Sequence, residues 1–313
     1  MKLRRTLLPI LCLAVLLIPA AMQGQGFQNH LHVQNCTPSG LNWTPQQLIQ
    51  NVLVGEGVIV DSVRFNGSYG TISCDAIGIF YTDSNAATTN IGLRNGILMT
   101  TGSITAAPGP NSSTRISSEF SCTPYPDTTI RSIIGNNIAM YHTTVLEFVF
   151  TAQTDSVGFR YVFASDEYPY DGEAYNDAFA FYVSGPNPAG GDYVDTNIAK
   201  IPGVNLPVYI PNVNQDDNSD YYINNNTPSL RPNAQIEYDG FTQVLTAYAK
   251  VIPCSTYHMR LVLTDVGDSL ADSGVFLEEG SLSAKSLEVV YRQSSPTDDG
   301  TPRVEESCCT DMI

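Results

Sequence analysis

Alternation with a period of two recurs along this chain and constrains its fold more than any other feature. Phe159, Tyr161 and Phe163 share one face of a strand pattern. So do Phe179, Phe181 and Val183, and again Tyr257, Met259, Leu261 and Leu263. Such spacing puts every second side chain on one side of a pleated strand. Further strand signals lie at 58–65, 91–100, 145–150, 157–164, 178–183, 244–251, 257–263 and 275–282. Loops rich in Pro, Gly, Asn and Asp separate them, as at 184–191 and 211–232. One helix interrupts the pattern: Thr44 as N-cap, Pro45 at its first position and Gln47 closing a capping box, with Gly55 as the stop. The fold class expected is therefore all-β, an antiparallel β-sandwich or jelly roll of lectin-like type, with one short N-terminal helix.

The ends of the chain read differently. Lys2, Arg4 and Arg5 precede an apolar run from Thr6 to Ala20, too short to span a bilayer, which reads as a signal peptide over 1–24. Residues 25–43 read as a polar lead, 44–293 as the sandwich domain and 294–313 as a disordered tail. Export sets an oxidising compartment, so disulfides are expected, and Cys74–Cys122 is the pairing preferred. Once the signal is removed no membrane span is expected, and the protein is placed outside the cell or on its surface.

Fifteen Lys and Arg stand against 31 Asp and Glu, a formal charge of −16. That balance excludes nucleic acid as a partner, because phosphate binding depends on Lys and Arg. It favours cations and neutral ligands. Three acidic loops follow or precede strong strands: 164–173, 175–177 and 264–274. Asp166, Glu167, Asp177, Asp265, Asp268 and Asp272 are the candidate ligands of Ca²⁺, which takes six to eight oxygens in flexible loops. Asn176, Tyr168 and Tyr175 are the candidate ligand contacts beside it. The equal alternative is that the acids populate turns and bond their own backbone. No HExxH, nucleophile elbow or phosphate-binding loop occurs. The four histidines, His30, His32, His142 and His258, show no metal-binding spacing. A binding module is therefore the reading preferred to an enzyme. A carbohydrate-active hydrolase using Glu167 and Asp177 is the alternative, and a structural surface subunit the third. The partner expected is a surface glycan or protein, and oligomeric state is left open.

Several ordered motifs resemble one family. Asn51–Val58, Val63–Gly67, Gly96–Gly102, Phe159–Tyr168, Tyr175–Phe181, Tyr238–Thr242, Asp265–Asp268 and Asp272–Leu277 are similar to stretches of choice-of-anchor L domains. The resemblance covers about 44–283 and implies a secreted or surface protein, mostly of Bacteroidota. Members often carry a C-terminal sorting module, and this sequence departs there by reaching Ile313 without one. Asn176–Phe181 also resembles a strand of legume-type lectins, which implies sugar binding beside calcium.

Overall fold

The computed structural model describes residues 31–83, 90–172 and 176–284. The segments expected to be a signal peptide (1–24) and a tail (294–313, with Cys308 and Cys309), together with His30 and Tyr175, lie outside the described residues.

Two antiparallel sheets face each other across one apolar core, as the alternation predicts. The strands, in chain order, are β1 (Leu31–Asn35), β2 (Val58–Phe65), β3 (Ile77–Thr82), β4 (Asn95–Thr100), β5 (Met140–Ala152), β6 (Ser156–Ser165), β7 (Ala178–Pro186), β8 (Asp192–Asn197), β9 (Tyr222–Asn224), β10 (Gly240–Thr242), β11 (Leu245–Lys250), β12 (Thr256–Val266) and β13 (Ser273–Glu278). One sheet has eight strands in the order β1-β3-β4-β13-β6-β10-β9, with β11 continuing along β6 beyond β10. The other has five, in the order β2-β5-β12-β7-β8.

The predicted aromatic faces meet in the middle. Phe159, Tyr161 and Phe163 of β6 lie against Phe179 and Phe181 of β7, with the rings of Phe163 and Phe179 stacked at 4.8 Å. Tyr161 meets Phe181 edge to face at 4.9 Å. Each such buried ring contributes about 1.5–3 kcal/mol by leaving water.

The helix forms where its capping box stands. Gln47 N donates to Thr44 Oγ1 and Thr44 N donates to Gln47 Oε1. α1 (Pro45–Leu48) continues as a π-turn through Leu53, burying Leu48, Ile49 and Leu53. A second single turn, α2 (Arg131–Ile134), lies on the outside of the five-stranded sheet.

The polar lead differs from expectation. Leu31–Asn35 pairs with β3 as an edge strand, burying Leu31 while its polar neighbours stay half-exposed. An edge strand with one face on solvent tolerates that composition. Cys74 and Cys122 are joined as expected, tying the approach to β3 to the 119–126 segment.

Both outer faces are partly covered. Ile104, Ile236, Tyr238 and Phe241 lie over Phe80, Leu98, Val162 and Phe276 on the eight-stranded sheet. Beyond Val162 that sheet is open around Arg160 and Tyr248. On the five-stranded sheet, Ile130 and its neighbours cover Val145, Ala180 and Val262. Beside them Arg260 bridges two buried acids, Asp127 at 3.1 Å and Glu147 at 3.2 Å, and Arg64 closes on Glu147 at 2.6 Å.

Candidate functional site

The antiparallel order decides where the acids go. β6 ends and β13 begins at the same rim, and there β12 ends beside the start of β7. Asp166 and Glu167 follow β6, Asp177 precedes β7, Asp265 closes β12, and Asp272 precedes β13. Residues distant in sequence therefore share one end of the sandwich. Asp166, Asp177, Asp265 and Asp272 are each buried, between 1% and 4% exposed.

Hydrogen bonds tie the five acids into one cluster. Asp177 N donates to Glu167 Oε2 at 2.6 Å, and Val266 N donates to Asp177 Oδ1 at 3.1 Å. Asp166 N donates to the Asp272 carbonyl at 3.0 Å. Asp272 Oδ2 accepts from Ser118 N at 2.9 Å and also from the Ser118 hydroxyl. His142 Nδ1 lies 2.7 Å from Asp265 Oδ2. Asp177 Oδ2 and Asp265 Oδ1 are buried and receive no well-formed hydrogen bond, although the two carboxyls lie within reach of each other and of the Ser273 and Thr101 hydroxyls. A buried polar atom left so costs about 1–3 kcal/mol.

Electrostatics follow from burial. Loss of water pushes Asp166, Asp177, Asp265 and Asp272 above the usual carboxylate range. The charge of Asp265 adds to the effect on Asp177, and those of Asp239 and Asp272 to that on Asp166. Burial and the neighbouring Asp177 push Glu167 up to about 10. His142 is held below its ordinary value by burial. Without a cation, the cluster retains protons.

The remaining sequence candidates fall elsewhere. Asp268 is half-exposed, and its Oδ1 caps the turn by accepting from Leu270 N at 2.9 Å. Asn176 is 8% exposed and lines a shallow pocket with Tyr170 and Tyr209. Tyr168 is enclosed, its hydroxyl donating to the Val213 carbonyl at 2.7 Å, so its ring faces protein rather than a ligand. Tyr175 lies outside the described residues.

Other members of the rim escaped sequence reasoning. Asp239 accepts from Asn111 Nδ2 at 2.9 Å and from Arg115 N at 3.1 Å. Glu237 accepts from Ser112 N and Ser113 N. These two acids are satisfied by backbone and amide donors and pin the 111–115 loop over the rim. Asp239 stood in the Tyr238–Thr242 motif without being read as a ligand, and neither Glu237 nor His142, which lies inside β5, carried a signal of its own.

The donor set around the orphan oxygens is all oxygen: carboxylates, with the hydroxyls of Thr101 and Ser273 alongside. That suits a hard cation rather than a soft one. Among the described residues, no three His, Cys, Asp or Glu side chains are already gathered closely enough to hold a metal ion by themselves. Hydroxyl, carbonyl or water oxygens would have to complete a shell.

Two face-packed antiparallel sheets with a loop-built polar rim define a β-sandwich domain. The family model for the choice-of-anchor L domain matches residues 35–283, most of the chain, and the chain belongs to that family. It is thereby an extracellular, surface-associated module. No curated protein and no solved structure matches it. No helix among the described residues is long and apolar enough to cross a membrane.

Proposed function

We propose that this protein is a Ca²⁺-dependent adhesion or recognition module of the cell surface, its rim acids holding the ion. The observation that carries the reading is the pair of buried, adjacent carboxyls of Asp177 and Asp265, each with an oxygen that receives no well-formed hydrogen bond, surrounded by further acids. Asp177, Asp265, Asp272, Asp166 and Glu167 would supply carboxylate oxygens, with Asp268 at the mouth of the same loop. Bound calcium supplies the positive charge that lets these groups ionise. The chain's own part is to hold the β12–β13 and β6–β7 loops in one place, so that a surface glycan or protein meets a fixed rim.

Calcium at a hundred times its dissociation constant would add about 2.7 kcal/mol to stability. Thermal unfolding in millimolar calcium and in chelator tests this: a higher midpoint with calcium is expected, and an unchanged one removes the ion from the account. The hydrolase reading gains from the raised Glu167, which suits a general acid. It loses from the enclosure of Asp177, which no substrate reaches without the loops parting.

A further inference from the structure

The open part of the eight-stranded sheet carries a cleft, away from the acidic rim. Register sets its geometry. Leu277 of β13 lies opposite Tyr161 of β6, the next residues Glu278 and Arg160 meet through their side chains, and Arg160 lies opposite Thr246 of β11. One step further along β6, Gly158 lies opposite Tyr248. A side chain at Gly158 would press on the Ala247 carbonyl, so the position stays bare and the floor beside Tyr248 stays low. β13 ends at Glu278, and the chain turns away through Gly280 and Ser281. A cleft of about 450 Å³ results, with Tyr248 as one wall. A second cleft of about 320 Å³, bordered by Tyr193 and Lys200, adjoins it across the same Tyr248 and Thr246. Tyr248 is 53% exposed, among the more open large apolar side chains.

The chemistry of the wall selects a ligand. Arg160 Nη1 contacts both Glu278 oxygens at 2.7 and 2.6 Å, which cancels the charge and leaves other N–H donors of the guanidinium for a ligand. Hydroxyls of Thr246 and Ser281 border the cleft, and Ser281 Oγ is already fixed by accepting from Arg160 N at 3.1 Å. A flat aromatic face, a neutral ion pair and aligned hydroxyls match a ligand with an apolar ring face and a hydroxylated edge. An anion would meet Glu279 on the cleft wall and the negative field of the chain.

We infer that the groove across Gly158, Tyr248 and the Arg160–Glu278 pair binds a neutral oligosaccharide, with one sugar ring stacked on Tyr248. This names a ligand class for the surface-recognition reading and rests on it, but it does not require calcium.

The test is isothermal titration of the full chain with neutral gluco-, manno-, xylo- and N-acetylglucosamine tetra- to hexasaccharides. Oligogalacturonate of equal length is the acidic control. Binding to at least one neutral series is expected, weakened roughly tenfold or more in Tyr248→Ala, which removes the stacking face. Thr246→Trp, at an exposed strand position, fills the cleft and is expected to abolish it. Tyr248→Phe is expected to retain it. Neutral binding unchanged in both Tyr248→Ala and Thr246→Trp, or binding to the acidic sugar alone, overturns the proposal. So does an absence of binding throughout, which would leave the groove to the chain's own residues or to a second copy. Calcium-dependent melting of the same variants reports on the rim alone, so failure of either reading is seen separately.

Discussion

Asp177 and Asp265 are cross-strand neighbours at the rim, immediately beyond the paired residues Ala178 and Thr264 of β7 and β12. Like charges placed so are destabilising, and here both are also out of water. Asp177→Asn keeps the shape and removes the carboxyl that burial forces to hold its proton when no cation is bound. In chelator at pH 8 it is expected to stabilise the protein by roughly 1–3 kcal/mol, and in calcium to lose the calcium response. Urea unfolding under both conditions checks this; destabilisation in chelator would mean that the carboxylate is satisfied by a partner.

The raised rim acids fix the direction of the pH response. A group whose folded pKa lies above its unfolded value stabilises fully below the unfolded value. That stability is lost as pH rises through the folded one. Calcium-free protein should therefore weaken from about pH 4, the ordinary carboxylate range, up towards the value of about 10 held by Glu167. His142, lowered by burial, works the other way and limits the gain below its usual titration range. Calcium should flatten the curve, because it displaces the same protons. Melting midpoints at acid, neutral and alkaline pH, with and without calcium, read this directly; parallel curves would refute it.

Arg260 joins two acids that are themselves buried, Asp127 and Glu147. Arg260→Ala takes this cation from Asp127 and leaves Glu147 with Arg64, a change that costs about 3–5 kcal/mol at such sites. Arg260→Lys should recover only part, since a single ammonium cannot span both acids as the guanidinium does. Chemical denaturation of the two variants separates these outcomes.

Gly102 lies where a methyl group would run into the carboxylate of Asp272 and the hydroxyl of Ser118. Gly102→Ala is expected to cost about 1–3 kcal/mol by overpacking and to weaken calcium binding in step. A calcium affinity left unchanged would detach Asp272 from the ion.

Loss of the Cys74–Cys122 bridge, as Cys74→Ala with Cys122→Ala, should cost about 2–4 kcal/mol. Equal stability of the oxidised and reduced wild-type protein would contradict that figure.

How much of this was legible follows from what alternation can report. Strands with one face in the core announce themselves, so the positions of β2, β6, β7 and β12 were readable to within a few residues. Edge strands do not: β1 and β8 carry polar residues on exposed faces, and β3 (Ile77–Thr82) is short and follows a cysteine loop. Acids at strand ends were also readable, because a strand that stops at Ser165 or Val266 delivers its next residues to a rim. What the chain does not spell out is which rims coincide. Asp239 reaches Asp166 only because β10 lies beside β6, and His142 reaches Asp265 only through the β5–β12 pairing. Tyr168 was misplaced for a similar reason: an aromatic in an acidic loop can turn inward as readily as outward. Arg160 and Tyr248 look like ordinary solvent-facing residues of alternating strands until their lateral neighbours are known.

The place of β13 between β4 and β6 sets how such a chain comes into being. Gly96, paired with Phe80 of β3 on one side, finds its other partner at Glu278, far along the polypeptide. Until that last strand arrives, β4 and β6 present bare edges to each other and the larger sheet stays unsealed. Closure of the larger sheet therefore waits on a contact between residues far apart in sequence, which makes it a late and slow step of folding.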